Sequence, residues 1–138
     1  MKKKVTLEGI SSEYRDISCG VPQESILGPL LFLLYINDMH KAIKYSVMHH
    51  FADGTNMLCS DKDSKKLRKK MNEDLKLIFE WLCANRLSLN VSKTEFIIFK
   101  PPRKSLTERF TLKLNGVVLF ESTKIKYLGV VMDDRLSW

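Results

Sequence analysis

The stretch ILGPLLFLLYI at 26–36 constrains this chain more than any other. Leu30, Leu31, Phe32, Leu33, Leu34, Tyr35 and Ile36 follow one another without a polar residue. A helix built from them has no polar face and must be covered nearly all round. Pro29 fits only in the first turn of such a helix, where its missing N–H is not needed. The spacing therefore predicts a buried helix over 25–42. The run at 26–36 is too short to cross a bilayer. The basic start MKKK meets no apolar segment before Glu8, so it does not read as a signal peptide. The expectation is a soluble chain without a membrane partner, housed in the cytoplasm or nucleus.

The rest of the sequence supplies what could cover that helix. Loose alternation around Gly9, Ser11 and Ser12 predicts a hairpin within 4–18, followed by a loop, CGVPQES, at 19–25. Two strands are predicted within 45–60. A second helix is predicted over 64–84, with Leu67, Met71, Leu75, Ile78, Phe79 and Leu82 at helical spacing and Asp61 or Asp63 as its cap. Leu87, Leu89 and Val91 alternate with polar residues, and EFIIF at 95–99 reads as a short buried strand. An exposed loop with Pro101 and Pro102 follows. Next come a hairpin around Asn115-Gly116 and a final strand over 126–133, with Gly129 marking a bulge or a close backbone approach. This order predicts an α+β fold, one antiparallel sheet with two main helices packed on it.

Composition narrows the partners without naming one. Lys and Arg number 23 against 16 Asp and Glu, for a net charge of +7. Such a surplus favours phosphate backbones or acidic surfaces, although a solvated basic helix face is the commoner meaning of the lysines in 65–76. Cys19, Cys59 and Cys83 form no CxxC pair and suggest a reducing compartment rather than a disulfide framework. His49 and His50 are adjacent and point to opposite faces of a strand, so they read as structural.

FADGTN at 51–56 admits two readings. Asp-Gly between β-prone runs is a strong hairpin signal and by itself favours a plain turn. Three further blocks bear on it: GVPQES with GPLLFLLYIND at 20–38, WLCANRLSLNVSKTEFIIF at 81–99, and IKYLGV at 125–130. In this order the four blocks resemble the palm of a reverse transcriptase, nearest to non-LTR retrotransposons of the jockey or LINE type. The resemblance runs from about Asp16 to Trp138. It implies a partial reverse transcriptase domain over 1–138, with the loop, buried helix and FADG hairpin in 16–60 and the amphipathic helix and later strands in 61–138. The family's fingers and thumb are expected to be missing.

The resemblance also implies chemistry. The family joins deoxynucleotides to a DNA primer on an RNA template, with two Mg2+ ions held by carboxylates at about 3.5–4 Å from each other. Asp53 is implied as catalytic and metal-binding residue. Gly20, Val21, Pro22, Gln23, Ser25, Phe51 and Ala52 are implied in nucleotide and template binding. Lys93 is implied as the lysine beside the nucleotide phosphates, and Tyr127, Leu128 and Gly129 as the primer grip. A surface lysine and ordinary core residues remain open alternatives for Lys93 and for Tyr127 and Leu128. Two departures stand out. Gly54 replaces the second aspartate of the hairpin, and Glu24 stands where the family has glycine. The aspartate expected upstream of the GVPQ block is also missing, which leaves Asp53 alone of three carboxylates. The expectation is an inactive enzyme relic with weak Mg2+ binding at most. A non-catalytic nucleic-acid-binding module or a palm-derived interaction scaffold are the alternatives, and the sequence sets no oligomeric state.

Overall fold

A computed structural model describes residues 2–16, 25–51, 54–100 and 110–136. The chain divides into two compact units, Met1–Asn37 and Asp38–Trp138. In the first unit, β1 (Lys2–Lys3) pairs antiparallel with β4 (Arg15–Asp16), and between them β2 (Thr6–Leu7) pairs with β3 (Ile10–Ser11). Lys2 faces Asp16 while Thr6 faces Ser11, so the returning side carries one extra residue. That residue makes a bulge in the hairpin predicted there. The Val5 N–H donates to Ser12 Oγ at 3.0 Å, and the Ser12 N–H returns to Val5 O at 2.8 Å.

Helix α1 (Gly28–Ile36) has Pro29 in its first turn, as the sequence requires. It is shorter than predicted. Asn37 closes it by donating to Leu34 O, and Met39–Ala42 forms a separate 3-10 turn in the second unit. The larger correction concerns burial. Leu30, Leu31, Leu33 and Leu34 stay 44–65% exposed, and Ile36 is the buried residue of the helix. The ribbon β1–β4 is itself open, with Val5, Leu7 and Ile10 exposed. The described residues of the first unit do not wrap a helix that is apolar on every side.

The second unit contains the core. Helix α2 (Ser64–Ala84) starts at Asp63, whose side chain accepts from the Lys65 N–H at 2.8 Å. Asp61 supports that cap by accepting from the Asp63 N–H at 2.9 Å. Leu75, Ile78 and Leu82 are buried along one face of α2, with Leu67, Met71 and Phe79 half-buried beside them. Leu75 joins Phe110, Leu112, Leu114 and Leu119 in a continuous cluster. The strands are β5 (Val47–Phe51) with β6 (Gly54–Leu58), and β8 (Lys113–Leu114) with β9 (Val117–Val118) around the predicted Asn115-Gly116 turn. β7 (Glu95–Phe96) pairs in parallel with β10 (Phe120–Glu121), and β11 (Lys124–Tyr127) pairs with β12 (Val130–Asp133).

The fold is mixed helix and strand, but among the described residues the predicted single antiparallel sheet is not formed. Among the described residues every ladder is two-stranded, and one is parallel. Residues 87–90 carry no strand, and of 95–99 only Glu95–Phe96 pairs. The 126–133 stretch is a hairpin rather than one strand. Leu128 and Gly129 form its turn, with φ of 49° and 86°. A Cβ at Gly129 would meet nothing within 4 Å, so this glycine answers the backbone conformation and not a close approach. The exposed loop expected around Pro101 and Pro102 lies outside the described residues.

Candidate functional site

The segments that the sequence singled out in the second unit converge on one groove. Its volume is 450 Å3, and it runs between β6, the first half of α2, the 94–99 segment and the β11–β12 hairpin. Met57, Met71, Phe96, Ile98, Tyr127 and Met132 give it an apolar lining. Tyr127 is half-buried there, while Leu128 stands 56% exposed at the turn. Lys93 ends a 3-10 turn, Val91–Lys93, one residue before the groove-lining Thr94. That turn is held locally: Thr94 Oγ1 donates to Asn90 O at 3.0 Å, and Ser92 Oγ donates to Asn90 Oδ1 at 2.6 Å. Lys93 itself is exposed. The groove-lining Glu95 accepts from the Ser122 hydroxyl through its Oε2.

The β5–β6 hairpin forms one side of the groove. Its ladder runs from Val47↔Leu58 to Phe51↔Gly54, which leaves residues 52 and 53 between the paired ends. Ala52 and Asp53 lie outside the described residues, as do Gly20, Val21, Pro22, Gln23 and Glu24. Ser25 is described, half-buried, and accepts from the Gly28 N–H at 3.1 Å in the turn that enters α1. Phe51 is exposed. Gly54 corrects the Asp-Gly turn reading. It is a paired strand residue without positive φ, so the backbone does not call for glycine there. A Cβ on Gly54 would lie 3.3 Å from the Phe51 carbonyl oxygen, a tight contact that the ladder backbone must relieve by a few tenths of an ångström.

His50 precedes this turn with its Nδ1 at 3.1 Å from Thr55 Oγ1 and its Nε2 buried without a partner. Burial, and then the charge of His40, pushes its pKa below 6.5, which favours the neutral ring. His49 on the opposite face is exposed, so the two do not converge.

Sequence reasoning missed the anchor of this hairpin. Asp74 lies on the lysine-rich helix α2 and reads as one more surface charge, yet it is fully buried. Its Oδ1 accepts from the Lys44 N–H at 2.8 Å, and its Oδ2 from the Tyr45 and Ser46 N–H groups at 3.1 and 2.7 Å. Three successive backbone donors thus cradle one carboxylate immediately before β5. Burial alone would raise the Asp74 pKa, but hydrogen bonds from Ser46, Lys44 and Tyr45 together outweigh it and hold the carboxyl below 3.8. The available signal was its position: Asp74 falls on the apolar face, between Met71 and Ile78 at helical spacing. Among the described residues, no three His, Cys, Asp or Glu side chains converge as a metal centre requires. No helix of the described residues is long and apolar enough to cross a membrane.

The profile of the family described as "Reverse transcriptase (RNA-dependent DNA polymerase)" matches residues 2–132. The probable RNA-directed DNA polymerase from transposon BS of Drosophila melanogaster is 28% identical over 90% of this chain and 14% of its own length. The RNA-directed DNA polymerase from mobile element jockey of Drosophila funebris is 26% identical over 99% of this chain and 15% of its own. The probable RNA-directed DNA polymerase from transposon X-element of Drosophila melanogaster is 28% identical over 94% of this chain. The chain therefore spans about a seventh of the length of these curated relatives. No solved structure matches it.

Proposed function

The chain belongs to the reverse transcriptase family, and from that premise we propose that 1–138 is the palm portion of a jockey-like non-LTR retrotransposon polymerase whose metal site is damaged. In the intact family the palm carries RNA template, DNA primer and deoxynucleotides to two divalent metal ions. Asp53 and Lys93, the GVPQ loop with Ser25, Phe51 and Ala52, and the Tyr127–Leu128–Gly129 turn are the residues that correspond to that machinery here. The compartment is intracellular in this reading.

The observation that carries the proposal is Gly54. It occupies a paired strand position whose φ does not select glycine, so turn conformation does not explain the missing carboxylate. Asp38, Asp61 and Asp63 do not replace it: Asp61 holds Lys70 at 2.7 Å, Asp63 caps α2, and Asp38 precedes the Met39–Ala42 turn on the second unit's first element. One remaining carboxylate does not fit a pair of Mg2+ ions. Losing one such ligand costs on the order of 10^2–10^4 in rate. Asp to Gly at 54 and Gly to Glu at 24 can each arise from a single base transition, which fits decay of a mobile-element copy.

Primer extension on an oligo(dT)-primed poly(rA) template tests this. The purified chain is expected to add no dTMP above background with Mg2+ or Mn2+. Incorporation that disappears on Asp53→Asn would overturn the proposal. A second reading, binding of nucleic acid without chemistry, is favoured by the net charge of +7.

A further inference from the structure

Helix α2 is the most basic element of the described chain. Its first nine residues, 64–72, contain Lys65, Lys66, Arg68, Lys69 and Lys70 and no acid. An α-helix repeats every 3.6 residues, so Lys65, Lys69, Asn72 and Lys76 form one ridge, turned away from buried Leu75, Ile78 and Leu82. The three lysines of the ridge are exposed.

Strand β8 adds a cation to this ridge through Asn72. The Lys113 N–H donates to Asn72 Oδ1 at 2.8 Å, while Asn72 Nδ2 donates to Arg68 O at 2.9 Å and Thr111 O at 3.2 Å. Leu112 and Leu114 are buried, so by the two-residue alternation of a strand the exposed Lys113 side chain points outward. Arg68, Lys69, Lys76 and Lys113 therefore surround one amide whose own hydrogen bonds are already made.

Among the described residues, Glu73 and Asp61 are held by cations other than Lys69, Lys76 and Lys113. Glu73 accepts from Lys44 Nζ at 3.1 Å and from the Tyr45 hydroxyl at 3.4 Å. Asp61 holds Lys70 at 2.7 Å. Glu80 reaches Lys76 only at 3.8 Å with both side chains open to solvent, a pair that water and salt screen.

We infer that this face of α2 and β8 is a docking surface for the phosphate backbone of a nucleic acid. Along the helix the lysines are spaced by about 6 and 10 Å, the scale of a few phosphate steps on one strand. The satisfied Asn72 amide is not available to read a base edge, so the contact is independent of sequence. Single strands and hybrids share this chemistry. The inference rests on the reading that the chain meets nucleic acid, but not on the loss of catalysis.

The test is fluorescence anisotropy of the whole 138-residue chain with a labelled single-stranded RNA and with its RNA–DNA hybrid. With Lys69, Lys76 and Lys113 engaged, the single-strand affinity should fall about twentyfold between about 50 and 200 mM salt. The triple variant Lys69→Glu, Lys76→Glu, Lys113→Glu should bind both probes about tenfold more weakly or worse, with circular dichroism unchanged. Replacing the same three lysines by Arg should preserve binding. A control with the same charge change elsewhere, Lys2→Glu, Lys41→Glu, Lys124→Glu, should lose much less. If control and ridge variants weaken equally, or if the native chain binds neither probe, the inference falls. Primer extension by the native chain would overturn the preceding proposal and leave this one standing.

Discussion

Helix α1 holds seven consecutive apolar side chains and leaves most of them open, whereas α2 carries six basic residues and buries Leu75, Ile78 and Leu82. The difference lies in what each helix finds to pack against. Around α2 the chain supplies Phe110, Leu112, Leu114 and Leu119, and polar bonds fix its orientation: Asn72 to β8 and Asp74 to the start of β5. Around α1 the described residues of the first unit supply a ribbon whose own apolar residues are exposed. Apolarity sets how much a helix gains from cover, but it does not provide the cover.

That contrast can be broken from either side. The largest effect is expected at Leu114, which is 1% exposed at the centre of the cluster. Leu114→Ala should cost about 3–4 kcal/mol in chemical denaturation, by lost transfer and by the cavity left behind. A cost under about 1 kcal/mol would show that the second unit is not the cooperative core. The next effect is expected at Asp74. Asp74→Asn places an NH2 group among three N–H donors and should cost about 2–3 kcal/mol at neutral pH.

The same residue sets a pH dependence. Its folded pKa lies below 3.8, so its stabilisation is fully present above the unfolded value and is lost as pH falls through the folded one. Acid unfolding of the native chain should therefore steepen below about pH 4, and Asp74→Asn should flatten that limb. If the two acid limbs superimpose, the carboxylate is not what the backbone donors hold. The smallest effect is expected in α1. Leu31→Gln with Leu34→Gln should shift stability by less than about 0.5 kcal/mol, because both side chains are already exposed. The same pair should reduce binding of the apolar dye ANS. A loss of several kcal/mol would instead mean that α1 is buried as its sequence implies.

The sequence itself contains much of this molecule. Family membership was legible in four blocks, because their residue types and order are specific even where each is weak. Helix α2, an aspartate cap at 61 or 63 and its buried face followed from spacing, and the Asn115-Gly116 hairpin followed from turn chemistry. These are local matters, fixed by backbone preferences a few residues apart. Tyr127, Leu128 and Gly129 were assigned to one strand because their residue types are β-prone. The turn emerges from the pairing of Lys124–Tyr127 with Val130–Asp133, which no local pattern announces.

Only the tertiary structure decided that α1 stays open, that the described strands pair two by two, and that Gly54 is a strand residue without positive φ. It alone buried Asp74 and set Lys113 beside the lysines of α2. Each of these depends on which distant segment lies alongside, and a charge or an apolar run has the same sequence whether or not that neighbour is present. Aspartate reads as surface until three backbone donors meet it. Leucine reads as core until nothing does.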